Sequence, residues 1–221
     1  MPCTKEFLYN FSRKHRSVLD KYRDDLEKDH RVDRKSDADV SDEKEIAETL
    51  SRGLKSISPG RDYASKYHDL MIGIIEFIFF PWLCNPIKEK EINSGRKRID
   101  MVMENAARGG VFYKLHDIRK IPCAIVPLEC KNYKTEVSNP ELDQLAGRMS
   151  VNRGMFGFLC CRHFENRSKF IESCKDTYRD RKELIVPLDD NTIVKFLHLI
   201  SEEKRKVIDR KINDLIDEVW Y

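Results

Sequence analysis

The triplet Glu129-Cys130-Lys131 places a carboxylate and an amine directly after an apolar run at residues 124–128. An acid two residues before a lysine is a weak pattern, and the chain contains it six times, but the other five copies lie in hydrophilic stretches typical of a solvated surface. Side chains two residues apart lie on the same face of a strand, so Glu129 and Lys131 are predicted to project together. Because desolvating such a pair is costly, the triplet indicates either a salt bridge at a strand end or a site of chemistry.

A second carboxylate, Asp100, lies inside an apolar strand pattern. Charged side chains in such a pattern are seldom fully buried without a partner. If the strands predicted at 97–104 and 122–130 pair antiparallel, Asp100 lies beside Glu129, and the two carboxylates repel each other unless a cation lies between them. Mg²⁺ takes oxygen ligands from one or two carboxylates, waters and phosphates. The pair therefore predicts a site for Mg²⁺ or Mn²⁺, with the main-chain carbonyl of Cys130 as a further ligand oxygen.

Other candidate ligands are less specific. Glu76 lies in an otherwise apolar segment, residues 71–80, which is predicted to be helical. Two interpretations stay open, since Glu76 either reaches solvent at the edge of the helix or reaches the same cation from a helix that packs on the sheet. Cys160 and His163 have a spacing seen in zinc sites, but no second pair accompanies them, which disfavours a zinc site.

Hydrophobic periodicity predicts the elements that position these residues. Helices are expected at 62–80, from Ser138 through Pro140 to 152, at 166–182 and from 192 to the end. Strands are expected at 84–92, 97–104, 122–130, 155–161 and 184–188. A run of strands followed by alternating helices and strands predicts an α/β fold with a mixed central sheet flanked by helices on both faces.

The N-terminal part is expected to be a helical extension, with helices at 5–29 and 42–57 joined by a polar linker at 30–41. Asp42 and Glu45 resemble a capping box at the start of the second helix. The Ser-Pro-Gly-Arg break after that helix marks the expected start of the main domain. The expected organisation is an N-terminal helical extension, a main domain and a C-terminal helix, at residues 1–60, 61–200 and 201–221.

The chain has 221 residues, of which 36% are charged and 10% aromatic. The aromatic content excludes wholesale disorder, and no stretch predicts a membrane span. The 7 cysteines form no Cys-x-x-Cys pair, and the N-terminus lacks an apolar signal core, so reduced thiols and a cytoplasmic location are expected. Residues 86–182 hold 20 Lys and Arg against 13 Asp and Glu, and this excess favours a polyanionic partner. The aromatic run at 77–82 is predicted to be core rather than a base-stacking surface.

An acid in a helix, an Asp in a strand and Glu-x-Lys at the end of the next strand, in an α-β-β-β-α-β order, resemble the PD-(D/E)xK nuclease superfamily and its restriction-endonuclease-like fold. The resemblance covers residues 62–165 and departs from the family pattern at Ile99, where the family has proline in many members. It implies that Asp100 and Glu129 are metal ligands and that Lys131 is the catalytic lysine.

The resemblance also implies roles for weaker candidates. Glu76 would be a helical acid that assists catalysis and the metal, Gln144 a polar residue beside the site, and Arg148 a phosphate contact. A helix surface explains Gln144 and Arg148 equally well. Contacts to a nucleic-acid backbone, which position it without reading sequence, would come from basic residues. These are Arg96, Lys97, Arg98, Lys134, Arg148, Arg153 and Arg162.

The implied activity is metal-assisted hydrolysis of phosphodiester bonds in DNA, with RNA left open, in restriction or anti-phage defence. Lys131 would position the attacking water or stabilise charge on the phosphate, with a pKa either lowered by burial and a nearby cation or held at its ordinary value by the carboxylates. One alternative is a non-catalytic nucleic-acid-binding module that keeps the fold. Another is an interaction protein, since the helical extensions are expected to bind a partner or a second copy of the chain.

Overall fold

The structure is a computed structural model that describes the backbone of residues 37–221 and the side chains of residues 42–221. The helix predicted at 5–29 lies outside the described residues, as does the predicted linker up to residue 36. Within the described part, Asp42–Tyr221 forms one compact unit. Every helix among these residues is too short or too polar to cross a membrane.

A five-stranded mixed sheet forms the centre of this unit, in the order β1-β2-β3-β4-β5. Strand β2 runs antiparallel to both β1 and β3, whereas β3, β4 and β5 run parallel to one another. A short turn joins β1 to β2, and helical crossovers join the parallel strands, as parallel pairing requires. The strands are Leu83–Ile92 (β1), Lys97–Asn105 (β2), Ile125–Lys131 (β3), Phe156–Cys161 (β4) and Leu184–Asp189 (β5).

Helices flank the sheet, which confirms the predicted α/β class and the mixed sheet. They are Asp37–Ser56 (α1), Ala64–Phe79 (α2), Gly110–Tyr113 (α3), Asn139–Ala146 (α4), Arg167–Arg181 (α5), Asp190–Ser201 (α6) and Arg205–Trp220 (α7). Arg61–Tyr63 is a 3₁₀ turn and Lys114–Ile118 a π-helical turn. The predicted start of α4 is confirmed, because Pro140 lies in its first turn and the Glu141 carboxylate accepts the Ser138 N–H at 2.9 Å.

Several boundaries differ from the prediction. The predicted helix start at Asp42, with its capping box, is wrong, because α1 begins at Asp37 and Asp42 lies within it. The helix predicted to reach residue 152 ends at Ala146. The predicted final helix is divided into α6 and α7, since Glu203 between them adopts a left-handed φ of 59° that interrupts helical geometry. The polar stretch at 106–121 contains α3 and the π-helical turn, which hydrophobic periodicity did not indicate.

The core includes elements that were expected to lie outside the main domain. From α1, Leu54 is fully buried and Ile57 follows it into the core, and from α7 Ile212 and Ile216 are fully buried. The compact unit therefore begins at Asp42, before the expected boundary at residues 58–61. Aromatic side chains fill the centre of the core, where Phe79 stacks on Phe158 at 5.4 Å between ring centroids. Within the run at 77–82, Phe79 is buried as predicted, but Phe80 is exposed.

Candidate active site

Acidic side chains meet at the sheet edge where the parallel strands end. Antiparallel pairing matches Met101 of β2 with Leu128 of β3, so Asp100 and Glu129 are the next positions of the same register. There the Asp100 side chain replaces the main-chain ladder, because its Oδ2 accepts the Cys130 N–H at 3.0 Å. The antiparallel pairing on which the predicted site depends is present, and it brings the two carboxylates side by side.

Glu129 lies at the centre of this group and is fully buried. Its Oε1 accepts a hydrogen bond from Lys131 Nζ at 2.7 Å, as expected for side chains on one face of a strand. Lys131 Nζ also donates to Gln144 Oε1 at 3.0 Å. Gln144 belongs to α4, which contacts β3 and buries Leu142, Leu145 and Ala146. The structure therefore brings together Asp100, Glu129, Lys131 and Gln144.

A guanidinium group lies between the two carboxylates. Arg148 Nη1 donates to Glu129 Oε2 and lies 3.8 Å from Asp100 Oδ1. Arg148 follows the end of α4, and its carbonyl oxygen accepts a hydrogen bond from Arg153 Nε at 2.9 Å. The side chains of Arg148 and Lys131 are only 14% and 11% exposed, so solvent screens these ion pairs weakly. Two adjacent carboxylates need a cation between them, and in this structure the guanidinium of Arg148 takes that position.

Burial and the neighbouring charges together set the pKa values of the site. Burial raises the pKa of Glu129, and the Asp100 charge raises it further, against the opposing effects of Lys131 and Arg148. Burial alone would lower the pKa of Lys131, but the charge and hydrogen bond of Glu129, with a contribution from Asp100, outweigh it and raise the pKa. The sequence left open whether the pKa of Lys131 is lowered or ordinary, and the structure gives a raised pKa instead. The raised pKa favours the charged ammonium, which donates hydrogen bonds and stabilises negative charge.

The donor set of this site fits a small hard cation. Carboxylate oxygens of Asp100 and Glu129, with the Cys130 carbonyl, are ligands of the type that Mg²⁺ and Mn²⁺ use together with water and phosphate. Within residues 42–221, no group of three or more His, Cys, Asp or Glu side chains is placed to hold a metal. A metal held here would therefore need main-chain, water or substrate oxygens in addition to the two carboxylates.

Glu76 lies away from this group. Glu76 lies near Cys84, at the start of β1. Burial raises the pKa of the Cys84 thiol, and the nearby carboxylates of Glu104 and Glu76 raise it further. Cys84 pairs with Glu104, which lies about 13 Å along β2 from Asp100. The α2 residue that does approach Asp100 is His68, whose Nε2 lies 3.1 Å from the Asp100 carbonyl oxygen. The structure thus does not place Glu76 with the Asp100–Glu129 pair, because helix rise separates it from the α2 residue next to that pair.

The cysteines near the site are packed rather than exposed. Cys130 and Cys160 are direct partners in the β3–β4 ladder, and Cys160 is fully buried. Cys161 donates a weak hydrogen bond to the His163 carbonyl oxygen, with 3.7 Å between sulfur and oxygen. Among the described residues, therefore, Cys160 and His163 belong to no group that could hold zinc.

The basic residues expected to contact a nucleic acid differ in availability. Arg96, Lys97 and Lys134 are exposed. Arg98 is exposed too, but it forms ion pairs with Glu89 and Glu91 across the β1–β2 hairpin at 3.4 and 3.8 Å.

Arg162 has a structural role that its sequence position did not reveal. It donates to the Ile57 carbonyl oxygen after α1 at 2.7 Å and pairs with Asp190 at 3.1 Å. Its guanidinium also lies over the Tyr67 ring, 5.0 Å from the centroid. Because its side chain is 10% exposed and fully engaged, Arg162 ties α1 to the sheet and is not placed to meet a phosphate.

Sequence reasoning missed this second polar cluster beside the site. Tyr67 donates to Asp190 Oδ1 at 2.9 Å, and burial raises the pKa of Asp190 to about 6, against the opposing effects of Arg162 and the Tyr67 hydrogen bond. A usable signal was present in the sequence. Asp189 and Asp190 come directly after the apolar run at residues 184–188, much as Glu129 follows residues 124–128, and parallel strands end at one edge of the sheet.

Comparisons of the chain with protein-family models, with curated proteins and with solved structures give no match. The function is therefore inferred from the geometry of the site and from the order of the helices and strands.

Proposed function

We propose that the protein is a metal-dependent nuclease that hydrolyses phosphodiester bonds of DNA. The observation that carries the proposal is the convergence of Asp100, Glu129 and Lys131 at one edge of the sheet. Paired carboxylates with an adjacent amine suit phosphodiester hydrolysis, because the reaction needs a held cation and a stabiliser of negative charge.

The order of elements supports the same proposal. From α2 through β1, β2, β3 and α4 to β4, the chain follows the α-β-β-β-α-β order that the resemblance to PD-(D/E)xK nucleases implies. The assignment to that superfamily, a role in restriction or anti-phage defence, and a cytoplasmic location all rest on the sequence and its resemblance.

In the proposed reaction, Asp100, Glu129 and the Cys130 carbonyl would hold Mg²⁺ or Mn²⁺. The ion, when bound, polarises the scissile phosphate and lowers the pKa of a coordinated water. Lys131 donates from Nζ to the phosphate oxygen on which charge develops, as its raised pKa keeps the ammonium charged. Gln144 holds Lys131 Nζ in place through its side-chain oxygen, and Glu129 orients the same ammonium from the other side.

The direct test is incubation of the protein with supercoiled, linear and single-stranded DNA and with RNA, with and without Mg²⁺ or Mn²⁺. We expect cleavage of DNA that EDTA abolishes and that Glu129→Gln removes. A purified, folded protein that cleaves none of these substrates with either ion would contradict the proposal.

A non-catalytic nucleic-acid-binding module is the second candidate, and one observation favours it. Lys131 and Arg148 together compensate the two carboxylates, so the charges of the site are paired without any metal. Under this alternative the protein binds DNA equally well with Mg²⁺ or EDTA, and Glu129→Gln leaves DNA affinity unchanged.

A further inference from the structure

We propose that Arg148 is an internal counter-ion that competes with the divalent cation for Asp100 and Glu129. This inference rests on the proposed function, because it concerns the metal that the same carboxylates would hold. It assigns Arg148 the role of a counter-ion to the carboxylates, in addition to the phosphate contact that the resemblance implied.

The contacts of Glu129 define the competition. One oxygen, Oε1, accepts from Lys131 at 2.7 Å, and the other, Oε2, accepts from Arg148. On the neighbouring strand, Asp100 Oδ2 accepts the Cys130 N–H at 3.0 Å, and Oδ1 is the oxygen nearest Arg148. The oxygens that are not held by Lys131 or by the main chain are therefore the two that face the guanidinium. A cation that bridges the carboxylates through these two oxygens therefore competes with the guanidinium.

Electrostatics explains why the metal-free protein needs such a group. A fully buried carboxylate next to a second carboxylate is strongly disfavoured unless cations compensate it. Lys131 supplies one positive charge and Arg148 the second, so the site is neutral without metal. A divalent cation added to the same pocket would meet a site that is already neutral, and its charge would repel a guanidinium left in place.

The position of Arg148 in the chain makes displacement feasible. It lies just after α4, beyond the Gly147 C-cap, so its side chain can leave the carboxylates while Gln144 stays on the helix. A displaced guanidinium remains at the mouth of the site, where it can pair with a phosphate bound there. Movement of the Arg148 side chain away from the carboxylates would thus couple metal entry to substrate binding.

The test is Mn²⁺ binding by isothermal titration calorimetry, without nucleic acid. Arg148→Gln should bind Mn²⁺ at least about tenfold more tightly than the wild type, because a charge-assisted hydrogen bond no longer has to be broken. Arg148→Lys keeps the charge and should restore affinity towards that of the wild type. Arg210→Ala removes an exposed charge from α7 and serves as the control with unchanged affinity.

The outcomes separate this inference from the proposed function. If the wild type binds Mn²⁺ and folded Arg148→Gln binds it no more tightly, the role proposed for Arg148 is wrong. The nuclease proposal then still stands. If neither protein binds Mn²⁺, both proposals fall.

A second measurement uses the wild type alone, in case Arg148→Gln does not fold. The guanidinium NMR signals of Arg148, assigned by their loss in Arg148→Lys, should shift and lose their restricted rotation as Mg²⁺ is added. Signals that stay unchanged while Mg²⁺ binds would contradict displacement.

Discussion

At the scale of single residues, the site is a compensated cluster in which each charge depends on its neighbours. Glu129 is fully buried and contacts both Lys131 and Arg148, whereas Asp100 is 26% exposed and contacts a main-chain amide. Removing Glu129 therefore leaves two nearly buried cations facing each other, but removing the Asp100 charge leaves a cluster that is still largely paired. The two carboxylates should differ in their effect on stability even where both are needed for activity.

Variants of the two carboxylates test this difference. Glu129→Ala should lower the free energy of unfolding by about 3–5 kcal/mol, the scale for breaking a buried ion pair. Asp100→Asn keeps an oxygen for the Cys130 N–H and should cost less than about 1 kcal/mol. Urea unfolding gives both values. Equal losses in the two variants would show that Glu129 is not the centre of the cluster.

Lys131 is expected to act in the chemical step. Lys131→Ala should lower turnover by about 10²-fold or more, because the ammonium that stabilises developing charge is lost. Steady-state cleavage of a labelled DNA duplex in Mg²⁺ measures it. Lys134→Ala, which removes an exposed lysine three residues further along the same chain segment, should change mainly KM. If Lys131→Ala also changes only KM, Lys131 is a phosphate contact.

At the scale of elements, the ends of parallel strands gather two polar clusters at one edge of the sheet. In the second cluster Arg162 joins the end of β4 to α1 and to the start of α6, through Ile57 and Asp190. Buried strand segments bring these polar ends together because parallel strands share an edge. The cluster holds the elements that frame the site, so its protonation affects stability rather than chemistry.

The raised pKa of Asp190 predicts a pH dependence of stability. Its folded-state pKa of about 6 exceeds the ordinary value of 3.8, so the stability it contributes is fully present below the unfolded-state pKa and is lost as pH rises through 6. Relative to Asp190→Asn, the wild type should therefore lose free energy of unfolding as pH rises from about 4 to about 7. Urea unfolding of both proteins across that range measures the difference. A difference that stays constant with pH would show that Asp190 ionises alike in the folded and unfolded chains.

At the scale of the whole molecule, the basic excess of residues 86–182 is unevenly available. Arg148 and Arg162 are engaged inside the unit, whereas Arg96 and Lys97 are exposed at the β1–β2 turn, next to the strand that carries Asp100. The charge free to meet a polyanion is therefore smaller than the sequence count suggests. Part of it lies at the hairpin, and part lies at Lys134, three residues after Lys131.

DNA affinity should fall steeply with salt concentration, because each phosphate contact releases counterions. The variant Arg96→Ala/Lys97→Ala/Arg98→Ala should reduce the slope of log affinity against log salt by about 2.7, at about 0.9 for each of the three lost contacts. Fluorescence anisotropy at several salt concentrations measures the slope. As a matched control, alanine at the exposed residues Lys195, Arg210 and Lys211 removes three charges from α6 and α7 and should leave the slope unchanged. Equal slopes in all three proteins would place the DNA interface elsewhere.

The sequence by itself determined the local features. Apolar runs of strand length predicted the strands, and antiparallel pairing of β2 with β3 was the arrangement that places Asp100 beside Glu129. The two-residue repeat of a strand put Glu129 and Lys131 on one face, and the sequence pattern at Ser138 and Pro140 predicted the start of α4. These features depend on neighbours in the chain, so the sequence contains the information directly.

Only the tertiary structure decided which charges meet. The distance of Glu76 from Asp100, the position of Arg148 between the carboxylates and the use of Arg162 to anchor α1 depend on how helices pack on the sheet. The inclusion of α1 and α7 in the core also follows from packing, since Leu54 and Ile216 are buried by residues far away in sequence. Side-chain periodicity shows that a helix has an apolar face, but it does not show which surface that face covers.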